Sequence, residues 1–371
     1  MKIAIIGSRG YPYVYSGYET FVSEVAPRLL KQNVEVHVYC HKQLFEKRPK
    51  EVNGIRLHYI PCIKTKSLSQ WSSSFLSTLH ALFQNYDVIL YVNSANGIFG
   101  ILTKLFRKKT AINVDGLEWL RPKWKGLGAK VFYFASKMAT RWMDRIITDA
   151  DAMREVYLKE FNTDSTVIAY GANIRYSNNP SLIQQWQLLP NEYFLIVGRL
   201  IPDNNALFIL KEFVKSSSKK KLVIVGDVPY HDEYAINIKN IRDERVLFTG
   251  YVNNSDELAE LYHNCFAYFH GHEFGGTNPT LLKALAYGCS IIAIDTVFSR
   301  EVLKGGEYGL FFKKEANDLK YLIDTIEMDS SRLSVFRQKS RQRIIENYTW
   351  DKITSQYLSL IKEITSPNVK N

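Results

Sequence analysis

Residues 264–295 read NCFAYFHGHEFGGTNPTLLKALAYGCSIIAID. The apolar run 265–269 has the length and composition of a buried strand. A polar loop follows it, His270-Gly271-His272-Glu273-Phe274-Gly275-Gly276-Thr277-Asn278. Pro279 suits the first turn of a helix, and Thr277 or Asn278 can cap it. Leu281, Leu282, Ala284, Leu285 and Ala286 carry that helix to a stop near Gly288, and a second apolar run, 290–294, ends at Asp295. Strand, glycine loop and helix start, in that order, predict an anion site. Unpaired backbone N–H groups and the helix dipole there point into one crevice.

Outward from this stretch the same alternation repeats. Before it in the second half come apolar runs at 193–197, 221–225 and 246–248, and after it one at 309–312. The first half has runs at 3–6, 34–39, 55–60, 88–92, 111–114, 145–148 and 166–169, with amphipathic helices expected between several of them, notably 18–30 and 126–142. Alternation of this kind predicts an α/β chain with parallel sheets. Between the halves, 175–190 breaks into Ser, Asn, Gln and Pro and reads as an interdomain linker. The expected organisation is therefore a first domain over 1–174, the linker 175–190 and a second domain over 191–347. Each is a doubly wound, Rossmann-like parallel sheet. Such sheets bind ligands outside the carboxyl ends of their strands, so two facing sheets would enclose a central cleft.

Composition narrows the class. The 371 residues are 46% hydrophobic and 23% charged, ordinary for a globular chain with large cores. No apolar run approaches the ~20 residues that span a bilayer, and the N-terminus enters a strand at once, without a signal-peptide pattern. Cys40, Cys62, Cys265 and Cys289 have neither zinc spacing nor the density of a disulfide framework, which suggests a reducing cytoplasm. The net charge of +11 favours an anionic partner: nucleic acid, a phosphorylated substrate or an acidic membrane face. Nothing resembles a nucleic-acid-reading motif.

Several strand-end loops carry chemistry. Gly7-Ser8-Arg9-Gly10 follows the first strand, and Gly17-Tyr18-Glu19 opens the first helix. Glycine there allows a ligand close to the backbone, against the plain alternative of a tight turn. Asp115 and Glu118 follow the fifth run, where a carboxylate can orient a hydroxyl or take its proton; an Asp-Gly turn opening a helix is the other reading. Gly198-Arg199 closes the first strand of the second domain, where an arginine can pair with phosphate oxygens. Residues 119–145 are basic and aromatic, a pattern that can lie on an anionic membrane surface, although an ordinary helix with its aromatics in the core is the slightly better fit. Lys104 and Arg107-Lys108-Lys109 add a second basic patch.

With these motifs in view, the chain resembles the family 4 retaining glycosyltransferases of the GT-B fold. Val197-Gly198-Arg199, Val225-Gly226, Phe248-Thr249-Gly250 and the loop and helix at 275–288 fall in that family's order. Asn347-Tyr348-Thr349-Trp350-Asp351 is similar to the start of its closing helices, which implies that 348–371 joins the first domain. Gly7-Ser8-Arg9-Gly10-Tyr11-Pro12, Gly17 to Phe21, Asp115 to Trp119, Ala169 to Ala172, and His270-Gly271-His272 with Gly275 to Pro279 resemble the bacterial β-1,4-L-rhamnosyltransferase branch.

The resemblance implies a nucleotide-sugar donor, dTDP-L-rhamnose, and a sugar acceptor carried on a polyprenyl diphosphate at the inner face of the cell membrane. It implies no metal and no further cofactor. It assigns Arg199 and the loop Gly275, Gly276, Thr277 and Asn278 to the donor diphosphate, with His270, His272 and Glu273 as sugar-side contacts rather than metal ligands. Asp115 becomes the leading catalytic residue with Glu118 beside it, and Arg9, Gly10, Gly17 and Tyr18 line the cleft. The chain also departs from the family. Two glutamates usually flank the donor loop, and Gly275 and Lys283 stand in their places. A lysine that usually follows the arginine is replaced by Asn204 and Asn205. Two readings of Lys283 follow: it supplies a cation near the diphosphate, or it weakens binding of the nucleotide ribose. A nucleotide-sugar epimerase and a non-catalytic relative are the rival readings.

Overall fold

The computed structural model describes residues 1–12, 17–63, 65, 68–121, 126–228 and 232–366. The chain divides into two compact units, 1–171 with 350–371, and 172–349.

In the first unit the strands are β1 (Lys2–Ile6), β2 (Glu35–His41), β3 (Glu51–Val52), β4 (Ile55–Ile60), β5 (Val88–Val92), β6 (Thr110–Asn113), β7 (Arg145–Thr148) and β8 (Thr166–Val167). They pair in the order β3-β4-β2-β1-β5-β6-β7-β8. Every pairing is parallel except β3 with β4. The central strands read as unbroken apolar runs because helices cover both faces of the sheet; all five residues of β5 are buried. Helix Gly17–Lys31 buries Phe21, Val22, Val25, Ala26 and Leu29 at helical spacing. Helix Trp350–Thr365 packs against it, with the Phe21 and Tyr357 ring centroids 4.9 Å apart and Arg28 Nε 2.9 Å from Asp351 Oδ1.

The second unit has β9 (Tyr193–Val197), β10 (Lys221–Val225), β11 (Val246–Gly250), β12 (Ala267–His270), β13 (Ile291–Ile294) and β14 (Gly309–Phe312). Their order is β11-β10-β9-β12-β13-β14, all parallel. Phe194, Phe213 and Phe269 anchor its core, with Phe194 and Phe269 stacked at 4.9 Å across β9 and β12. The expected α/β class with two doubly wound parallel sheets is the observed one.

Three features differ from the sequence expectations. The short strand β3 turns back on β4 through Asn53-Gly54, both at positive φ (51° and 80°). This is the Asn-Gly hairpin signal, set inside an otherwise parallel alternation. The stretch 175–190, expected as a linker, is built into the second unit. Glu260, 3% exposed, accepts the Asn178 and Asn179 backbone N–H groups at 2.7 and 2.8 Å and the Ser177 hydroxyl at 2.7 Å. The polar residues that looked like a linker satisfy a buried carboxylate. The basic and aromatic strip 119–145 is also split. Trp119 turns inward, 5.8 to 6.1 Å from Tyr133, Phe161 and Tyr157, whereas Leu127, Val131 and Phe134 are exposed. Lys123, Trp124 and Lys125 lie outside the described residues. Cys265 and Cys289, distant in sequence, meet in the second core with sulfurs 3.9 Å apart, as free thiols.

Candidate functional site

Strand order in the second unit reverses between β9 and β12, so their carboxyl ends open onto the switch point where such sheets hold ligands. Two loops meet there. The first, after β9, carries Gly198, Arg199 and a single helical turn at Pro202–Asn204. The second, after β12, carries Gly271 to Asn278. They are bound to each other. Asn205 Nδ2 donates to Gly271 O at 2.8 Å and to Glu273 Oε2 at 3.1 Å. The Glu273 N–H donates to Asp203 O at 3.1 Å, and His272 Nδ1 lies 2.9 Å from Asn204 Oδ1. Gly271 sits so close that a Cβ there would stand 2.3 Å from Asn204 O. Asn204 and Asn205 thus stitch the two loops together.

The electrostatics of this region follow from those contacts. His270 is 3% exposed, and burial alone pushes its imidazole down to about 3, so it is neutral. Glu273 is raised by burial, but hydrogen bonds from Lys314 and Asn205 outweigh this and hold it below the usual glutamate range. Lys314 Nζ lies 2.8 Å from Glu273 Oε2 and brings a cation from beyond β14, a contact no local pattern announced. Gly275 adopts φ 106°, a glycine conformation. Asn278 caps helix Pro279–Ala286 by accepting from Thr280 N–H at 2.9 Å, and Pro279 occupies the first turn. Gly275, Gly276 and Thr277 are buried ahead of that helix start. Arg199 is exposed at the other loop. Lys283 is exposed on the helix; surrounding protein and then the Arg175 guanidinium hold its ammonium below the usual lysine range.

In the first unit the equivalent reversal lies between β1 and β5. Gly7, at φ 109°, passes so near β5 that a Cβ would meet Val92 O at 2.2 Å. The Arg9 N–H donates to Glu19 Oε1 at 2.7 Å, which joins the loop Gly7-Ser8-Arg9-Gly10 to the helix opened by Gly17 and Tyr18. Two strands along, Asp115 follows β6. Its N–H donates to Asn113 Oδ1 at 3.0 Å, its carbonyl accepts the Tyr18 hydroxyl at 3.1 Å, and its Oδ2 accepts the Tyr170 hydroxyl at 2.7 Å. Burial and then the Asp115 charge raise both tyrosines well above the usual phenol range, so they stay neutral donors. Three separated motifs therefore converge on Asp115. Glu118 is instead paired with Arg121 at 2.8 Å, both side chains largely buried. Asp149, after β7 and 1% exposed, adds to the raising of Tyr18 and Tyr170 and belongs to the same neighbourhood. Its strand-end position is the signal that could have singled it out, as it did Asp115. Among the described residues, no three His, Cys, Asp or Glu gather in a metal-binding arrangement.

Residues 179–348 match the family of glycosyl transferases group 1, and residues 1–173 match a domain of unknown function (DUF1972). One curated relative is the N-acetylgalactosamine-N,N'-diacetylbacillosaminyl-diphospho-undecaprenol 4-alpha-N-acetylgalactosaminyltransferase of Campylobacter jejuni. It is 22% identical over 352 residues, covering 89% of this chain and 93% of the relative. Another is the alpha-maltose-1-phosphate synthase of Mycolicibacterium smegmatis, 20% identical over 99% of this chain and 100% of the relative. The sucrose-phosphate synthase of Thermosynechococcus elongatus superposes with a TM-score of 0.82 at 17% identity, covering 98% of both chains. Anabaena HepE in complex with UDP-glucose gives 0.76 at 16% identity, covering 98% of this chain and 100% of that one. The fold of this chain is therefore that of the GT-B glycosyltransferases.

Proposed function

We propose that this chain, whose second unit is a group 1 glycosyltransferase domain, transfers L-rhamnose from dTDP-L-rhamnose, with retention, to a sugar carried on a lipid diphosphate. The acceptor would be met at the inner face of a bacterial membrane, in the assembly of a cell-surface polysaccharide. The observation that carries the transferase reading is the pair of interlocked loops after β9 and β12, with a capped helix start behind them. Backbone N–H groups of Gly275 to Thr277, the helix dipole and the Arg199 guanidinium suit a diphosphate leaving group, whose charge they would stabilise as it develops. No metal is needed for that role. Asp115, held by Tyr170, would orient a sugar hydroxyl or take its proton. His270 and His272 would contact the donor sugar. Lys283 would add a cation near the nucleotide, where the family usually has a glutamate.

Rhamnose rests on the motifs around Gly7, Gly17, Asp115 and His270. The lipid-linked acceptor is supported by the Campylobacter jejuni relative, named for a diphospho-undecaprenol substrate. A second reading, a UDP-linked hexose donor, is favoured by the structural neighbour solved with UDP-glucose. One experiment separates them. The protein is incubated with a lipid-linked glucose or N-acetylglucosamine acceptor and either dTDP-L-rhamnose or UDP-hexoses, and nucleotide release is followed. Release of dTDP that requires acceptor supports the first reading. Release of UDP alone replaces the donor, and product formed without acceptor would point to an epimerase.

A further inference from the structure

Three helices of the first unit carry no acidic side chain at all: Leu68–Leu82, Gly100–Leu105 and Leu127–Trp142. They are packed together around the turn Ser94–Phe99. A Cβ on Gly97 would meet Ala135 O at 2.3 Å, and one on Gly100 would meet Trp142 Cβ at 2.9 Å, so the third helix lies directly on this turn. Phe75 of the first helix reaches Phe99 at 6.0 Å between centroids, and Phe83 just beyond it meets Phe106 just beyond the second helix at 5.9 Å.

The outward side of this group is both apolar and cationic. On the third helix Leu127, Lys130, Val131, Phe134, Lys137 and Arg141 are all exposed and recur every three to four residues, one face of a helix. Leu127 is 78% exposed and Phe134 53%, while Ala135, Ser136 and Ala139 on the other side of the helix are buried. Across the group, Phe83 at 76% and Leu105 at 72% are also open to solvent. Trp71, Ile98, Lys130, Val131 and Phe134 line a shallow cavity of about 340 Å³ between the first and third helices. The cations between the apolar side chains continue through Lys104, Arg107, Lys108 and Lys109.

We infer that this three-helix face docks on an anionic lipid bilayer, with the stripe on helix Leu127–Trp142 lying in the headgroup plane. Contiguous exposed apolar surface of this kind is rare on a chain that stays in water. Mixed on one face with lysines whose stems can snorkel, it fits the boundary between acyl chains and anionic headgroups. A second copy would set like charges against each other. Nucleic acid would leave Leu105, Leu127 and Val131 without a partner. The docking face is thus assembled from three segments, and the inward part of strip 119–145, including Trp119, takes no part in it. No described helix is long and apolar enough to cross a membrane, so attachment would be in-plane. The inference rests on the reading of a lipid-linked acceptor, whose reacting sugar would be at that surface.

The test is flotation of the full chain with vesicles of phosphatidylcholine alone or mixed with phosphatidylglycerol, without donor or acceptor. Binding is expected only to the mixed vesicles, and to fall as salt is raised. The double variant Lys130→Glu with Lys137→Glu is expected to lose at least about tenfold in partitioning, since each cation near such a surface contributes several-fold. Leu127→Ser with Phe134→Ser should lose a similar factor. Lys211→Glu with Lys219→Glu changes net charge equally, lies in the second unit and should bind as the parent does. Thermal unfolding of each variant checks that the exposed substitutions leave the fold intact. Equal binding to neutral vesicles, equal loss in the second-unit control, or a nucleic acid or self-associated form in place of vesicle binding overturns the inference. Nucleotide release with a water-soluble acceptor, run in parallel, keeps this outcome separate from the transfer reading.

Discussion

Replacing Gly271 by alanine tests whether the two interlocked loops form one unit. The new Cβ would lie 2.3 Å from Asn204 O and 2.8 Å from Ile209 Cδ1. Restoring an ordinary contact of roughly 3.5 Å requires the two backbones to part by about 1 Å. The isoleucine methyl can turn aside, but the Asn204 carbonyl cannot, because Asn204 and Asn205 are tied to His272, Gly271 and Glu273. Overpacking of this kind costs about 1–3 kcal/mol, and each strained neutral hydrogen bond about 1 kcal/mol more. The expected destabilisation is therefore ~3 kcal/mol. Urea unfolding should show it as a lower midpoint with an unchanged slope. The same displacement moves Arg199 relative to the loop 272–278, and a misplacement of about 1 Å costs on the order of a hundredfold in turnover. Gly305→Ala is the control. Gly305, unlike Gly271, has a positive φ, 66°, but nothing lies within 4 Å of its Cβ, so only about 1 kcal/mol of backbone strain is expected. If Gly271→Ala destabilises by less than about 0.5 kcal/mol and nucleotide affinity and turnover stay at parent values, the loops are not coupled as described.

Asp115→Asn should lower turnover by about 10²–10⁴ with little change in donor affinity, because a proton acceptor is lost while an oxygen remains for the Tyr170 hydroxyl; a rate within about threefold of the parent would remove Asp115 from the chemistry. Arg199→Ala removes an exposed cation, so stability should hold while nucleoside-diphosphate affinity drops about 10- to 100-fold by calorimetry. An unchanged affinity would count against the diphosphate role. Stability should also fall in mild acid. Burial and then the Arg9 charge push His41 down to about 4, and burial pushes His270 to about 3, against an ordinary 6.5. Below pH 6.5 the unfolded chain takes up protons that the folded chain refuses. The stability is fully present above 6.5 and is lost as pH falls towards 4, on the order of 3 kcal/mol for His41 alone. Denaturant midpoints that stay level from about pH 7 to pH 4.5 would contradict this, and His41→Gln should flatten the slope.

Features that depend on neighbours along the chain are legible in the residues alone. The runs at 3–6, 88–92, 193–197 and 265–269 are strands because unbroken apolar residues suit a sheet covered on both faces. The turn at Gly275 and the start at Asn278-Pro279 were readable because a positive φ, a cap and a fixed proline φ each select a residue type. The strand-end positions of Arg199 and Asp115 were legible for the same reason. Strand order and packing decided the rest. Only the adjacency of β9 and β12 brings Asn204 and Asn205 against Gly271 to Glu273 and ties the two loops together. Only the sheet of the first unit gathers Tyr18, Tyr170 and Asp149 around Asp115. The Asn-Gly hairpin at 53–54 is within reach of local reading, because the dipeptide itself selects the turn. The tie of Ser177, Asn178 and Asn179 to the buried Glu260, the meeting of Cys265 with Cys289 and the cationic three-helix face are not. Each depends on residues tens of positions apart whose contacts no local periodicity encodes.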